Sequence, residues 1–463
     1  LPPEFDGKLP QLLYKPDRGS LEFKALEAAC AETRLSAAHL LQRCGGLPSS
    51  HDYHLQRFLF EHFPHGPGFP EMSLEDLPDL PLAEDSAFSI DDAATTEIDD
   101  AFSVRKLGNG NWLIGVHIAV PALGIASGSA GDSVAAQRLS TVYMPGSKIT
   151  MLPENTVQVF TLSADRVCPA LSMMLEVDGD SLEILHAESR LQRIPIAANL
   201  RHDTLEPLFN ETTLAAGKLD YPYAAELKLL WQIAHKLEAA RGKPDNSAQQ
   251  AEYTFQVEND HVTITPRQRG SPIDKVVSEW MIYVNSSWGG LLASHDVAGI
   301  YRTQSNGKVK MSTVPSPHQG LGVAQYLWSS SPLRRYVDLV NQRQIISLLR
   351  NDAPAYARND TALFTVMRDF DAAYTAYNDF QRSMERYWCL RWLVQENVRE
   401  VEALVLRENI VRLTNIPLTG RIASLPELAP NTRVMLEIGE PDLLDLDFHA
   451  RFVRTIGEEV PAC

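Results

Sequence analysis

SIDDAATTEIDDAFSV, residues 89–104, places five carboxylates (Asp91, Asp92, Glu97, Asp99 and Asp100) within ten positions, between FSI (88–90) and FSV (102–104), which both read as buried strand. Like charges held close raise one another's pKa and oppose burial, so such a cluster persists at neutral pH when cations or protons share the site. The ligands on offer are hard oxygens with no cysteine or histidine nearby, which suits Mg²⁺ or Mn²⁺ rather than zinc. An EF-hand fits poorly, for want of a glycine at the sixth loop position and of its acid spacing. A solvated acidic loop is the competing reading, and the flanking strands count against it.

Downstream of this stretch, short β-like runs such as NWLIGVHIAV (111–120) give way to long amphipathic helices. One runs from Ser271 to about Leu292, with Ile273, Val276, Val277, Trp280, Met281 and Val284 on one face and Pro272 at the first helical position. Another spans about 362–395, carrying Tyr377, Phe380, Met384 and Trp388 at spacings of three or four. The mixture predicts an α+β fold. Beyond about residue 400 the period changes to two in VEALVLRENIVRL, LTGRIA, RVMLEI and DFHARFV, the pattern of a small barrel, with an OB fold as the economical choice.

Upstream, residues 20–63 read as three short helices, the outline of a helix-turn-helix or winged-helix unit or, equally, of a plain three-helix packing module. Five prolines between Pro64 and Pro81 mark a linker. The expected organisation is therefore 1–65 helical, 66–83 linker, 84–398 α+β domain and 399–463 OB-like barrel. A length of 463 residues accommodates about three such units.

The five cysteines (Cys30, Cys44, Cys168, Cys389 and Cys463) are scattered and form no CxxC pair, which argues against a disulfide framework or zinc site and fits a reducing cytoplasm. No stretch reads as a membrane span or a secretory leader. A formal charge of −17 by itself argues against a polyphosphate partner, so any nucleic acid needs a locally positive channel.

A second constellation is YLWSSSPLRRYVDLVNQR (326–343). Ser331 reads as an N-cap and Pro332 as the first helical residue, which puts Arg334 and Arg335 in the opening turn beside free backbone amides, a ready phosphate clamp. A local Arg334–Asp338 pair at i,i+4 is the alternative. An acidic metal site with such an arginine is suited to phosphoryl transfer.

Together with TVYMPGSKITMLPENTV (141–157), these two stretches occur in the order found in the RNB family of exoribonucleases, typified by ribonuclease II, which the chain resembles over about residues 85–395. The resemblance implies a processive 3′-to-5′ hydrolase that admits single-stranded RNA to a closed channel, releases nucleoside 5′-monophosphates and uses Mg²⁺, with Mn²⁺ an alternative. By the same resemblance Asp91, Asp99 and Asp100 hold the metal and Asp99 is the residue most needed for cleavage. Glu97, also a metal ligand, stands where the family usually has aspartate. Arg334 grips the scissile phosphate, Tyr143 stacks on the 3′-terminal base, and Glu385 lines the deep end of the channel.

Several positions depart from the family pattern. Only Glu279 occupies a place where two adjacent glutamates are usual, with Ser278 at the first; HIAV (117–120) replaces HIAD, and Gln342 replaces a histidine. The second stacking aromatic is left between Tyr253 and Phe255. Arg302 and Arg335, with Lys308 and Lys310, are expected to line the channel. The helical start stands where ribonuclease II-like chains carry cold-shock domains, which points to a changed channel mouth and to structured RNA with a 3′ overhang as a further substrate. A monomer is expected. The rival of a different class is a non-catalytic RNA-binding regulator on the same scaffold.

Overall fold

The computed structural model describes residues 1–47, 49–218, 220–242, 251–268 and 270–457; Cys463 and the end of the 399–463 segment lie outside them. Its centre is a closed five-stranded barrel. The strands are β1 (Ala87–Asp91), β2 (Asp100–Lys106) and β3 (Trp112–Ala119), then, after a small hairpin β4 (Val142–Met144) and β5 (Ser147–Ile149), the long β6 (Arg166–Val177) and β7 (Ile184–Arg201). Neighbours pair antiparallel, and a parallel β1–β7 ladder closes the ring. The mixed helix and sheet content is the α+β class read from the sequence.

Alternation along the strands supplies two cores. Phe88, Ile90, Phe102, Val116 and Leu171 pack against the Pro272–Ser294 helix, whose Trp280 and Trp288 are fully buried. Ala101, Ala119, Cys168 and Ile194 face the opposite core, built with Leu333, Val337 and Val340 around the Tyr336–Arg350 helix. His117 lies among them between Ser172 Oγ (2.8 Å from Nδ1) and Ser103 Oγ (2.9 Å from Nε2), and burial pushes its pKa down to about 3. Gly115 makes this possible: a Cβ there would stand 2.5 Å from His117 Nε2 and from Ser103 Oγ.

Helices occupy Leu21–Thr33, Ala37–Arg43 and Ser50–His62, capped by the side chains of Ser20, Ser36 and Ser49. The third packs Phe58 on Phe380 of the Thr361–Gln395 helix at a ring separation of 3.8 Å. The proline-rich segment is laid along the barrel rather than hanging free. Arg193 exchanges backbone bonds with Pro81 and Ala83, and Arg138 donates to the carbonyls of Pro67 and Gly68.

A second hairpin, β8 (Ala251–Glu258) with β9 (His261–Gln268), and a third, β10 (Tyr301–Ser305) with β11 (Lys308–Ser312), flank the long helices. The chain then forms an antiparallel sheet from β12 (Glu400–Arg407), β13 (Ile410–Leu413), β14 (Thr419–Arg421), β15 (Arg433–Ile438) and β16 (Ala450–Thr455), in the order β14-β13-β12-β15-β16. That is the strand order of an OB barrel left open between β14 and β16. No described helix is long and apolar enough to cross a membrane.

One element begins later than the capping signals predict. The helix after SSSPLRR starts at Tyr336, and Arg335 has an extended backbone. Tertiary pairing wins over the local cap: Thr141 N and Ser140 Oγ both donate to the Arg334 carbonyl, and Tyr336 N donates to Leu139 O. Residues 331–334 form a separate turn, so Arg334 sits ahead of the helix rather than inside its first turn.

Candidate active site

Strands β1 and β2 pair antiparallel, with Phe88 opposite Phe102, which brings the end of β1 (Asp91) and the start of β2 (Asp100) to the same rim of the barrel. Between them Ile98 is pinned in the core, its N–H donating to Thr161 Oγ1 and its carbonyl accepting from Leu162 N. Anchoring Ile98 turns its neighbours Glu97 and Asp99 toward a cavity of about 860 Å³ lined also by Asp91, Asp100, Tyr143, Lys148, Phe255 and Arg334. Tyr143 arrives by the same alternation: Val142 and Met144 are buried on one side of β4, and Tyr143, 38% exposed, faces the other. Gly146 turns this hairpin at a positive φ of 79° and lies so close to Val257 of β8 that a Cβ would stand 2.8 Å from it.

The four carboxylates have unequal surroundings. Asp99 is held at both oxygens, accepting from Leu333 N at Oδ1 and from Arg334 Nε at Oδ2, each at 3.0 Å. Burial, opposed by Arg334, leaves its pKa raised to about 7. Asp91 accepts from Ser89 Oγ at 2.6 Å, and that hydroxyl accepts in turn from Asn199; burial raises Asp91 to about 6. Asp100 is pushed well above the ordinary carboxylate range by burial and then by Asp91 and Asp99, and its Oδ2 is buried without a hydrogen-bond partner among the described residues. An orphaned oxygen beside a second raised carboxylate is the environment a hard cation satisfies, so the donor set fits Mg²⁺ or Mn²⁺ at Asp91 and Asp100, with Asp99 adjacent.

Glu97, expected among the metal ligands, is engaged elsewhere. Its Oε2 accepts from Lys148 Nζ at 2.5 Å and its Oε1 from Thr141 Oγ1 at 3.2 Å. No three of the four carboxylates bring ligand oxygens within 4.8 Å of one another; among the described residues, His39, Asp442 and Asp445 do so, away from this cavity. There, Asp442 is occupied by His39 Nε2 and by the backbone amides of Leu444 and Asp445.

Arg334 is oriented by Asp99 through Nε and by Ser331 Oγ through Nη2 at 2.9 Å, while its side chain stays 41% exposed. Burial works against the Arg334 charge, yet Asp99 and Tyr143 hold its pKa above the ordinary range. A smaller cavity of about 130 Å³, lined by Ser140, Arg335, Tyr374 and Gln381, shares Tyr143 and Arg334 as its wall with the acidic one.

The other expected channel residues mostly have structural employment. Arg335, not Arg334, pairs with the buried Asp338, through Nε and Nη2 at 2.8 Å each, and also covers the Trp328 ring at 4.2 Å. Arg302 lies over Trp328 at 4.1 Å. Glu279 is buried in a two-pronged pair with Arg241, because a carboxylate on the core side of its helix needs a partner there. Glu385 accepts from Gln381 one turn earlier. Of Tyr253 and Phe255, Phe255 lines the acidic cavity and Tyr253 does not. Sequence reading missed Lys148, Thr141 and Ser89; Lys148 stands inside the quoted 141–157 motif, directly opposite Tyr143 across the hairpin.

The RNB domain family matches residues 76–310 and 306–351, more than half of the chain, and the chain belongs to that family. Exoribonuclease 2 of Aeromonas hydrophila is 27% identical over 343 residues, covering 60% of this chain and 50% of the relative. The chain spans about half the length of the curated relatives it matches. Apo RNase R of Mycoplasma genitalium superposes with a TM-score of 0.69 at 15% identity, over 81% of this chain and 72% of that one. Yeast Ssd1, a pseudonuclease, superposes with a TM-score of 0.64 at 17% identity, over 84% and 58%.

Proposed function

We propose that the chain is a 3′-to-5′ hydrolytic exoribonuclease that degrades single-stranded RNA processively to nucleoside 5′-monophosphates with Mg²⁺, or Mn²⁺ in its place. The observation that carries this reading is Asp99 clamped between Leu333 N–H and Arg334 beside the unsatisfied Asp100, in one cavity with Tyr143. Asp91 and Asp100, with Asp99 alongside, would hold a divalent ion, which would supply Lewis-acid activation of a water, lowering its pKa from about 15.7 toward 7.

The chain's own groups do the rest. Tyr143 and Phe255 offer aromatic faces for the terminal bases. Arg334, preorganised by Asp99 and Ser331, presents its guanidinium where charge builds on the phosphoryl oxygens, a contribution of about 3 to 4 kcal/mol when a charge is aimed in advance. Asp99 fixes Arg334 beside the place proposed for the attacked linkage, and Asp91 and Asp100 are the carboxylates that would hold the cation. Acidity of the whole chain is compatible with this, since one oriented guanidinium inside a walled cavity outweighs distant exterior charge.

The same reading divides the chain into a helical unit (1–65), a strapped-down linker (66–83), the RNB domain (84–398) and an OB-like unit (399–463), working as a monomer in the cytoplasm. Mycoplasma genitalium RNase R has been solved with ribose-methylated single-stranded RNA and with double-stranded RNA, which supports RNA as the partner and keeps 3′-overhang duplexes in view. The similarity to a pseudonuclease favours one alternative, a non-catalytic RNA binder. End-labelled oligo(A) incubated with Mg²⁺ or with EDTA separates them: mononucleotides in Mg²⁺ alone support the enzyme, and intact RNA in both supports the binder.

A further inference from the structure

Lys148 stands inside the catalytic cavity, a cation that no local pattern announces. The hairpin register sets it opposite Tyr143, and cross-strand neighbours project from the same face, so the hairpin that presents the aromatic ring to the cavity presents the ammonium too. Its Nζ donates to Glu97 Oε2 at 2.5 Å and to Thr96 Oγ1 at 2.9 Å. Glu97 is 4% exposed, with its other oxygen taken by Thr141. Opening this arrangement to make Glu97 a metal ligand leaves either the carboxylate without its buried donor or the ammonium facing another cation.

Charge balance gives the consequence. Of four inner carboxylates, Asp99 is paired with Arg334 and Glu97 with Lys148. Asp91 and Asp100 remain without an ionic partner among the described residues of the cavity, and Asp100 Oδ2 is the oxygen without a hydrogen bond. Arg201, which also acts on Asp91, donates to the carbonyls of Asp92 and Thr95. The unpaired charge is thus that of two carboxylates, which one divalent ion balances.

We propose that Lys148 occupies the place of a second catalytic cation, so that this site takes a single divalent ion, at Asp91 and Asp100, and Glu97 holds the lysine rather than metal. The proposal rests on the metal-dependent reading above and sharpens it by assigning the second positive charge to the chain itself.

The test is Mn²⁺ binding stoichiometry on the full chain, read by the loss of the free-ion paramagnetic resonance signal and by titration calorimetry. Wild type is expected to bind one ion per chain, Lys148→Gln two, Lys148→Arg one, and the double variant Lys148→Gln with Glu97→Gln one. Two ions in wild type, one in a folded Lys148→Gln variant, or no ion in a folded double variant would each overturn the proposal. If Lys148→Gln does not fold, the wild-type count alone decides, one supporting and two refuting. No bound ion in wild type refutes the metal-dependent reading itself, and this inference with it.

Discussion

Replacing Asp99 by asparagine isolates the proposed chemistry from the fold. The new side chain keeps an oxygen for Leu333 N–H, which lies 3.0 Å from Asp99 Oδ1, and sets an amide against Arg334 where a carboxylate accepted at 3.0 Å. The stability lost with the ion pair is limited because the buried partner is the one neutralised: Asp99 is 3% exposed, and the Arg334 charge left behind is 41% exposed and open to water. Against this, the variant removes a buried carboxylate whose charge also raises Asp100, so the melting temperature at pH 8 is expected to stay level or rise. Activity behaves differently. The variant loses a charge beside the proposed metal and the anchor that aims Arg334, and a single oriented charge is worth about 3 to 4 kcal/mol, two to three decades in rate. Single-turnover hydrolysis of labelled oligo(A) should therefore fall by about 10²- to 10³-fold, while filter binding of the same RNA is retained. Turnover within about three-fold of wild type, or loss of binding in step with loss of turnover, refutes the reasoning.

Other substitutions probe other parts of the site. Arg334→Lys cannot reach Asp99 and Ser331 together and should lower kcat by about 10²-fold, whereas a loss confined to KM would make Arg334 a binding group only. Tyr143→Ala should raise KM by about ten-fold or more, the value of one base stack, and Tyr143→Phe should restore it. A carboxyl whose folded pKa exceeds its unfolded value contributes stability that is complete below about pH 4 and lost as pH rises through the folded pKa. With Asp91 raised to about 6 and Asp99 to about 7, the melting temperature in EDTA should fall across that window. Mg²⁺ should restore it, giving a larger Mg²⁺-induced rise at pH 8 than at pH 5 by scanning fluorimetry. Arg241→Ala, which strands the buried Glu279, should cost about 3 to 5 kcal/mol in urea denaturation.

What the sequence disclosed, and what it hid, follows the range of the interactions. Strands β1 to β3, the Pro272–Ser294 helix with Pro272 at its start and the period-two strands after residue 400 rest on local pattern, and they occur where that pattern puts them, whereas β6 and β7, which complete the barrel, were not read from the sequence. The carboxylate cluster was legible because its members are neighbours in the chain. The start of the Tyr336 helix was misread because Ser331 and Pro332 send a local signal that the distant Thr141 overrides. Glu97 bound to Lys148, and Glu279 to Arg241, were invisible for the same reason: an acid looks free until the fold brings a base from 51 or 38 residues away. Phe255 became distinguishable from Tyr253 only once the β8–β9 hairpin was seen beside Gly146.

The central claim is that the carboxylates and Arg334 hydrolyse the last linkage of an RNA strand from its 3′ end. Linear and circularised forms of one oligo(A), treated in Mg²⁺ with wild type and with Asp99→Asn, test it most directly. The linear strand should pass to 5′-monophosphates with wild type alone while the circle stays intact; a cut circle, or equal degradation by the variant, contradicts the account.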